Sequence, residues 1–178
     1  MNIEEFTDPR DGRTYSIVMI GETLWMAENL NFACPGAFSY ENTAENRKEN
    51  GLLYTYEAAL NAVPKGWRLP NEKDWQDLFN NAGGEDAALL LKGESLGFKA
   101  KLSGFRSADG VYKDNGEKAC FWSSTRFGSL AEYIGLLKIS DTPLRLIESV
   151  NAAFSVRAVL IFVPIPIIVP PSYATLTK

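Results

Sequence analysis

Apolar positions along this chain follow two rhythms, one strand-like and one helical. Thr14-Tyr15-Ser16-Ile17-Val18-Met19-Ile20 is rich in β-formers, follows a turn cluster at residues 8–13 and stops at Gly21. That pattern predicts a strand, and Leu24-Trp25-Met26-Ala27 predicts its hairpin partner. Residues 33–51 are polar, with Pro35, Gly36 and several Asn, and predict a loop that becomes ordered near Gly51. Tyr56, Ala59, Leu60 and Val63 recur at helical spacing, a short helix ending before Pro64. A stronger helix follows: Asn71 is a good N-cap, and Asp74 sits where a negative charge favours a helix N-terminus. Trp75, Leu78, Phe79 and Ala82 form one apolar stripe, and Gly83-Gly84 stops it. Residues 85–92 predict another short helical piece.

From Phe98 onward the pattern changes to short strands and turns. Asp109-Gly110 and Asn115-Gly116 are hairpin-turn signals flanking Val111-Tyr112. Further strands are expected at Cys120–Ser124, Glu132–Ile139, Leu144–Val150 and Phe154–Phe162. Two main helices in the first half, with a twisted antiparallel sheet drawn mainly from the second, make a loop-rich α+β domain. A boundary is expected only near residue 160, giving a domain over 1–160 and an apolar, Pro-rich tail over 161–178.

Composition narrows what such a domain can do. The 178 residues, 46 % apolar and 22 % charged, suit one domain with a real core. Eighteen Lys plus Arg against 22 Asp plus Glu leave −4, which argues against a nucleic-acid backbone as partner. The chain has no His, which removes His-ligated zinc and Ser-His or Cys-His catalysis. The apolar run from Ala158 to Pro171 is broken by Pro164, Pro166, Pro170 and Pro171, so no membrane span is expected. Ile161 to Val169 is nonetheless too apolar to sit in water, and predicts packing on its own domain or on a second copy, a homo-oligomer through the tail. Residues 1–20 show no basic segment followed by an apolar one, so no leader is visible in the chain as given. Cys34 and Cys120 are far apart and outside any CxxC pair; two separate thiols are expected.

No catalytic residue emerges. Glu85-Asp86 suits a solvated helix start, and Ser123-Ser124 lacks a nearby base. Asp109, Asp114, Asn115 and Glu117 offer the oxygens a Ca²⁺ ion prefers, but the spacing is not that of an EF-hand and turn formation accounts for it equally well. No metal ligand or cofactor is therefore assigned, Ca²⁺ being the one ion left open. Trp25, Trp67, Trp75 and Trp122 are expected in structural roles, Trp67 and Trp122 as buried indoles with a paired N–H.

Several strings occur together in order: Asp11-Gly12-Arg13-Thr14-Tyr15, Ile20-Gly21-Glu22-Thr23-Leu24-Trp25-Met26-Ala27-Glu28-Asn29-Leu30, Asn50-Gly51-Leu52-Leu53-Tyr54, Pro64-Lys65-Gly66-Trp67-Arg68-Leu69-Pro70, Phe121-Trp122-Ser123-Ser124-Thr125 and Phe154-Ser155-Val156-Arg157. Over about residues 8–159 the chain resembles the Fibrobacter succinogenes major paralogous domain. This is a bacterial family related to the formylglycine-generating-enzyme-like branch of the C-type lectin fold. The resemblance implies a C-type lectin-like fold and a non-enzymatic surface, secreted or virion domain, although the missing leader leaves a cytoplasmic location open. It also implies Cys where this chain has Val63 and Ala158; two apolar replacements are what a chain doing without a bridge would carry. The related formylglycine-generating enzymes rely on a reactive cysteine pair, and Cys120 stands alone in that part of the chain.

The layout of Phe-Trp-Ser-Ser-Thr, about 30 mixed residues and then Ser-Val-Arg is similar to the variable segment of proteins mutated by diversity-generating retroelements. The resemblance implies that the Trp122–Asn151 region recognises a protein or glycan. Arg126, Phe127, Tyr133, Lys138, Arg145 and Asn151 are the expected contacts, since Tyr and Arg anchor interfaces well. Two alternatives remain, an oxidase of the formylglycine-generating type and an assembly domain oligomerising through its tail.

Overall fold

The structure, a computed structural model, describes residues 4–161. The chain begins with an antiparallel meander of β1 (Glu4–Thr7), β2 (Thr14–Ile20) and β3 (Thr23–Met26), followed by β4 (Ala37–Phe38). Next come α1 (Ala44–Asn50), β5 (Leu53–Tyr54), α2 (Tyr56–Ala62), β6 (Trp67–Arg68), α3 (Glu72–Asn81) and α4 (Ala87–Lys92). The second half supplies β7 (Ser103–Arg106), β8 (Tyr112–Asn115), β9 (Lys118–Phe127), β10 (Leu130–Leu137), β11 (Leu144–Ser149) and β12 (Val159–Leu160).

Two five-stranded sheets result, ordered β1-β2-β3-β12-β6 and β11-β10-β9-β7-β8, with β4 and β5 as a small separate ladder. The α+β class holds. Strand pairing is antiparallel except between β7 and β9, which meet in parallel at Gly104 and Ala119. The first sheet is built largely from the N-terminal half, contrary to a sheet drawn mainly from the second. It is closed by β12, whose Val159 pairs with both Trp25 and Arg68.

Strand periodicity explains the layering. Along β2, Tyr15 and Ile17 enter one apolar core while Val18 and Ile20 enter another. On β9, Cys120 and Trp122 join the first core, and Ala119 and Phe121 the second. Side chains alternate across a strand, so these strands bury both faces and appear as nearly continuous apolar runs. Ala58, Ala59 and Ala62 of α2 cover the first core, which holds Tyr54, Trp122 and Phe154. Trp75, Leu78 and Phe79 of α3 and Leu91 of α4 cover the second, where Trp25, Trp75, Phe98 and Phe121 stack edge or tilted. Helix α3 starts on a capping box: Asn71 Oδ1 accepts from the Asp74 N–H at 3.0 Å, and Asp74 Oδ2 accepts from the Asn71 N–H at 2.7 Å.

Three expectations need correction. Residues 33–51 are not one loop, because they contain β4 and α1; α1 buries no residue and so has no apolar stripe to betray it. It is fixed instead by polar bonds: Arg47 Nε donates to Asn31 Oδ1 at 2.8 Å, and Asn31 Nδ2 donates to the Arg47 carbonyl at 3.1 Å. Over the described residues 154–161 the expected strand shrinks to Val159–Leu160, since Phe154 and Ser155 make only isolated bridges to Tyr54 and Phe121; Phe162 lies outside the described residues. Asn115-Gly116 does not close a hairpin, because β8 pairs with β7 and β9 lies on the far side of β7. Beside the helices expected near residues 56–63, 71–82 and 85–92, which appear as α2, α3 and α4, the described residues hold one more, α1.

Candidate functional site

The segment expected to carry recognition spans β9, β10 and β11, and its six candidate contacts do not form one site. Tyr133 is a core residue, a correction to its expected role. Its ring lies 4.3 Å from that of Phe154, and its hydroxyl accepts from Lys118 Nζ at 3.1 Å. Burial pushes its phenol above the ordinary tyrosine value. Lys138 is exposed and paired with Glu117 at 2.9 Å, just beyond the far end of β10. At about 3.3 Å per strand residue, the eight steps from Leu130 to Lys138 put roughly 26 Å between Lys138 and the hairpin end. Arg145 is half-buried against α3, bonded to the Glu72 carbonyl and Gln76 Oε1, each at 3.2 Å, and paired with Glu132 at 3.3 Å.

Arg126, Phe127 and Asn151 do come together at the β9–β10 hairpin end. Arg126 pairs with Glu57 of α2, donates to the Gly128 carbonyl at 2.7 Å and lies 5.6 Å from the Tyr56 ring. The Val150 N–H donates to the Ser129 carbonyl at 3.1 Å, which holds exposed Asn151 beside the turn. Phe127 is 58 % exposed, and two neighbours share its face: Leu130, its register partner, at 38 % and Ile147 at 57 %. Ile147 pairs with Glu132, two residues along β10 from Leu130, so alternation puts all three on the side of the sheet that α3 covers further along. A register shift between Ala131 and Tyr133 bends the hairpin here. The result is an apolar sheet face, uncovered among the described residues, with Arg126 on the opposite, α2 side of the sheet.

A second feature escaped sequence reasoning. Arg157 is fully buried, and burial pushes its guanidinium down to about 9. Its donors are held by neutral oxygens: Nε donates to Asn29 Oδ1 at 2.7 Å, Nη1 to the Phe98 carbonyl at 2.5 Å and Nη2 to the Lys99 carbonyl at 3.0 Å. Asn29 Nδ2 in turn donates to the Asn50 carbonyl at 2.8 Å. These bonds tie together the strand exit at 26–31, the end of α1 and the segment 97–101, which bound a cavity of about 360 Å³. Gly51 in its wall has φ +74, and a Cβ there would stand 2.9 Å from the Leu30 carbonyl oxygen. The available signal was an Arg inside the otherwise apolar string from Val156 to Phe162.

Groups that could carry chemistry elsewhere are committed to structure. Cys34 is half-buried and Cys120 buried, both as free thiols, and burial pushes Cys120 up to about 12. Ala158 lies in the first core and Val63 packs against it. Ser123 is buried with its hydroxyl donating to Thr125 Oγ1 at 3.2 Å. Asp109 accepts from Ser107 Oγ at 2.5 Å and shapes its own turn. Among the described residues no cluster of three or more Cys, Asp or Glu is placed to hold a metal ion. Nor is any helix among them long and apolar enough to cross a membrane. All four tryptophans are buried; Trp122 Nε1 donates to the Tyr54 carbonyl at 2.7 Å, whereas the indole N–H groups of Trp25 and Trp75 have no partner.

A double-sheet α+β domain with an uncovered hairpin face and a polar-walled cavity is the class these features define. Within it, residues 18–160 match the Fibrobacter succinogenes major domain, and the chain belongs to that family. No curated protein matches the chain, and no solved structure does.

Proposed function

We propose that this domain is a non-catalytic recognition module that holds a protein ligand on the hairpin end of its second sheet. One observation carries the reading: Phe127, Leu130 and Ile147 share an uncovered face at the hairpin end. Exposed aromatic and aliphatic side chains on a fixed sheet suit the apolar centre of a protein interface, with exposed Asn151 beside the turn on its polar rim. Such a composition favours a protein over a glycan. The meeting of the N-terminal meander and β12 in one sheet, with the Trp122–Asn151 segment in another, suits a C-type lectin-like fold.

Retroelement diversification belongs to the same reading. Between Trp122 and Phe154, core positions such as Ile134 and Leu136 alternate with exposed ones such as Phe127 and Ile147. The exposed set could therefore change without disturbing the fold. Sequencing the locus across sister isolates tests this. Substitutions concentrated at positions 126, 127, 130, 147 and 151, with the core positions constant, support it; even spread or invariance counts against it.

Oxidation of the formylglycine-generating type needs an accessible thiolate, which the buried Cys120 does not offer. Incubation with a Cys-containing peptide, O₂ and copper is expected to leave the peptide unoxidised. Assembly through the tail concerns residues 162–178, which lie outside the described residues.

A further inference from the structure

The second sheet ends at β11, on an edge that pairs with nothing among the described residues. The Val150 N–H donates to the Ser129 carbonyl, so these two residues form a hydrogen-bonded pair that continues the β10–β11 ladder. Such pairs alternate along an antiparallel ladder, and the register runs unbroken from Leu130 opposite Ser149 to Gly135 opposite Leu144. Glu148, Leu146 and Leu144 therefore turn their backbone groups toward β10, while Ser149, Ile147 and Arg145 turn theirs outward. At Ser149 both groups are met: its N–H donates to Glu148 Oε1 at 2.9 Å, and its carbonyl accepts from the Ala152 N–H at 3.0 Å. The N–H and C=O of Arg145 and Ile147 have no partner among the described residues.

Unmet backbone groups on an edge are a template for another strand unless the edge is blunted. The other three sheet edges are blunted. Strand β6 has two residues, β1 carries Glu4 and Glu5, and β8 carries Lys113 and Asp114, the latter at φ +61. Strand β11 has six residues and is apolar at Leu144, Leu146 and Ile147. Its two charges are engaged within the chain, Arg145 by α3 and Glu132, and Glu148 by the Ser149 N–H.

This edge complements itself. A two-fold axis perpendicular to the sheet at Leu146 sets Arg145 opposite the partner's Ile147, and Ile147 opposite the partner's Arg145. Both become hydrogen-bonded pairs, and every unmet group of β11 is used. One pair further out, Pro143, which has no N–H, faces the partner's Ser149, whose groups are already engaged. Moving the axis by half a residue pair sets Ile147 opposite Pro143 or Arg145 opposite Ser149, and neither can complete the exchange. Leu146 meets the partner's Leu146 as a non-hydrogen-bonded pair, where side chains stand closest. We infer that β11 pairs antiparallel with β11 of a second copy of this chain, in an isologous dimer that joins the two five-stranded sheets. The axis leaves both uncovered hairpin faces on one side of the joined sheet. The contact is short, smaller than a standard interface, so the dimer forms in a concentration-dependent way.

The test is sedimentation equilibrium of the full chain from about 1 μM to about 1 mM. The mass should rise from 19.7 kDa toward twice that value. Ile147→Pro removes an outward N–H and spares the β10 ladder. It should weaken association at least about tenfold while the α3 amides keep their NMR positions. Cross-linking tests the register separately, in a Cys34→Ala background. Leu146→Cys should give a covalent dimer on mild oxidation, because the two positions face each other within disulfide reach. Leu144→Cys should not, since its two copies lie about 13 Å apart along the strands. Should Ile147→Pro disturb α3, the cross-linking pair decides. A mass fixed at 19.7 kDa, undiminished association in a folded Ile147→Pro, no cross-link at position 146 or equal cross-linking at 144 and 146 would each overturn the assignment. None of these results bears on ligand capture by the hairpin face, which each copy carries whole.

Discussion

At the scale of single residues, the costliest groups in this protein hold loops in place. Arg157 satisfies the carbonyls of Phe98 and Lys99 and the Asn29 amide from a fully buried position. Arg157→Met should strand those acceptors and lower stability by about 3–5 kcal/mol, measured by urea denaturation. Asp8 does similar work in the first turn: it is buried, accepts from Arg10 Nη2 at 2.6 Å, and the Arg10 side chain lies 3.8 Å from the Phe32 ring centre. The hydrogen bonds from Arg10 hold its carboxyl below the ordinary aspartate value. Cys120 supplies a pH signature. Its ionisation moves from 9.0 to about 12 on burial, so between those values the unfolded chain loses a proton that the folded chain keeps. Stability should then fall as pH rises through that window, by up to about 1.4 kcal/mol per pH unit. Cys120→Ala should flatten this slope in denaturation curves taken across the same range. At neutral pH a thiol reagent should label Cys34 first and reach Cys120 only on unfolding.

At the scale of elements, two helices of similar visibility in the structure differ in what stabilises them. Helix α3 buries Trp75, Leu78 and Phe79 and is capped by Asn71 with Asp74 as its N3 partner, and Asp74 also takes a bidentate pair from Arg68 at 2.5 and 2.9 Å. Asp74→Ala removes the N3 half of the capping box and the Arg68 pair together and should cost about 2 kcal/mol, visible as a lowered Tm. Helix α1 buries nothing and depends on the Arg47–Asn31 bonds. Its amides should exchange with D₂O well before those of α3, and Asn31→Ala should accelerate α1 exchange while leaving α3 unchanged. The same contrast explains what the sequence made legible. Periodic apolar residues revealed α2, α3, β2, β3, β9, β10 and β11, because each pays for its order by burying a face. Helix α1 has no such face, and β12 is only a two-residue bridge between β3 and β6. Both depend on partners distant in sequence: the local pattern carries no trace of α1, and for β12 it shows a strand but not its bounds.

At the scale of the whole molecule, two cores on opposite faces of shared strands fix the second sheet, and its hairpin end extends where α3 no longer covers it. The Trp122–Asn151 segment was legible as a candidate surface, but its burial was not. Tyr133 faces Phe154, Lys138 lies at the far end of β10, and Arg145 is tied to α3. Strand alternation alone does not reveal which face is core when both are partly apolar. Leu130 joined the surface only once the register was known. The cavity was missed for a related reason, since Arg13, Asn29, Gly51, Lys101 and Arg157 converge from segments far apart in the chain.

The most direct measurement compares the full chain with the variant Phe127→Ala/Leu130→Ala/Ile147→Ala on an array of surface proteins and glycans. All three positions are exposed, so the variant should keep its Tm within a few degrees. Protein ligands retained by the unsubstituted chain and lost by the variant are the predicted result. The account is contradicted if the variant retains the same ligands with equal affinity, or if the unsubstituted chain binds no protein on the array.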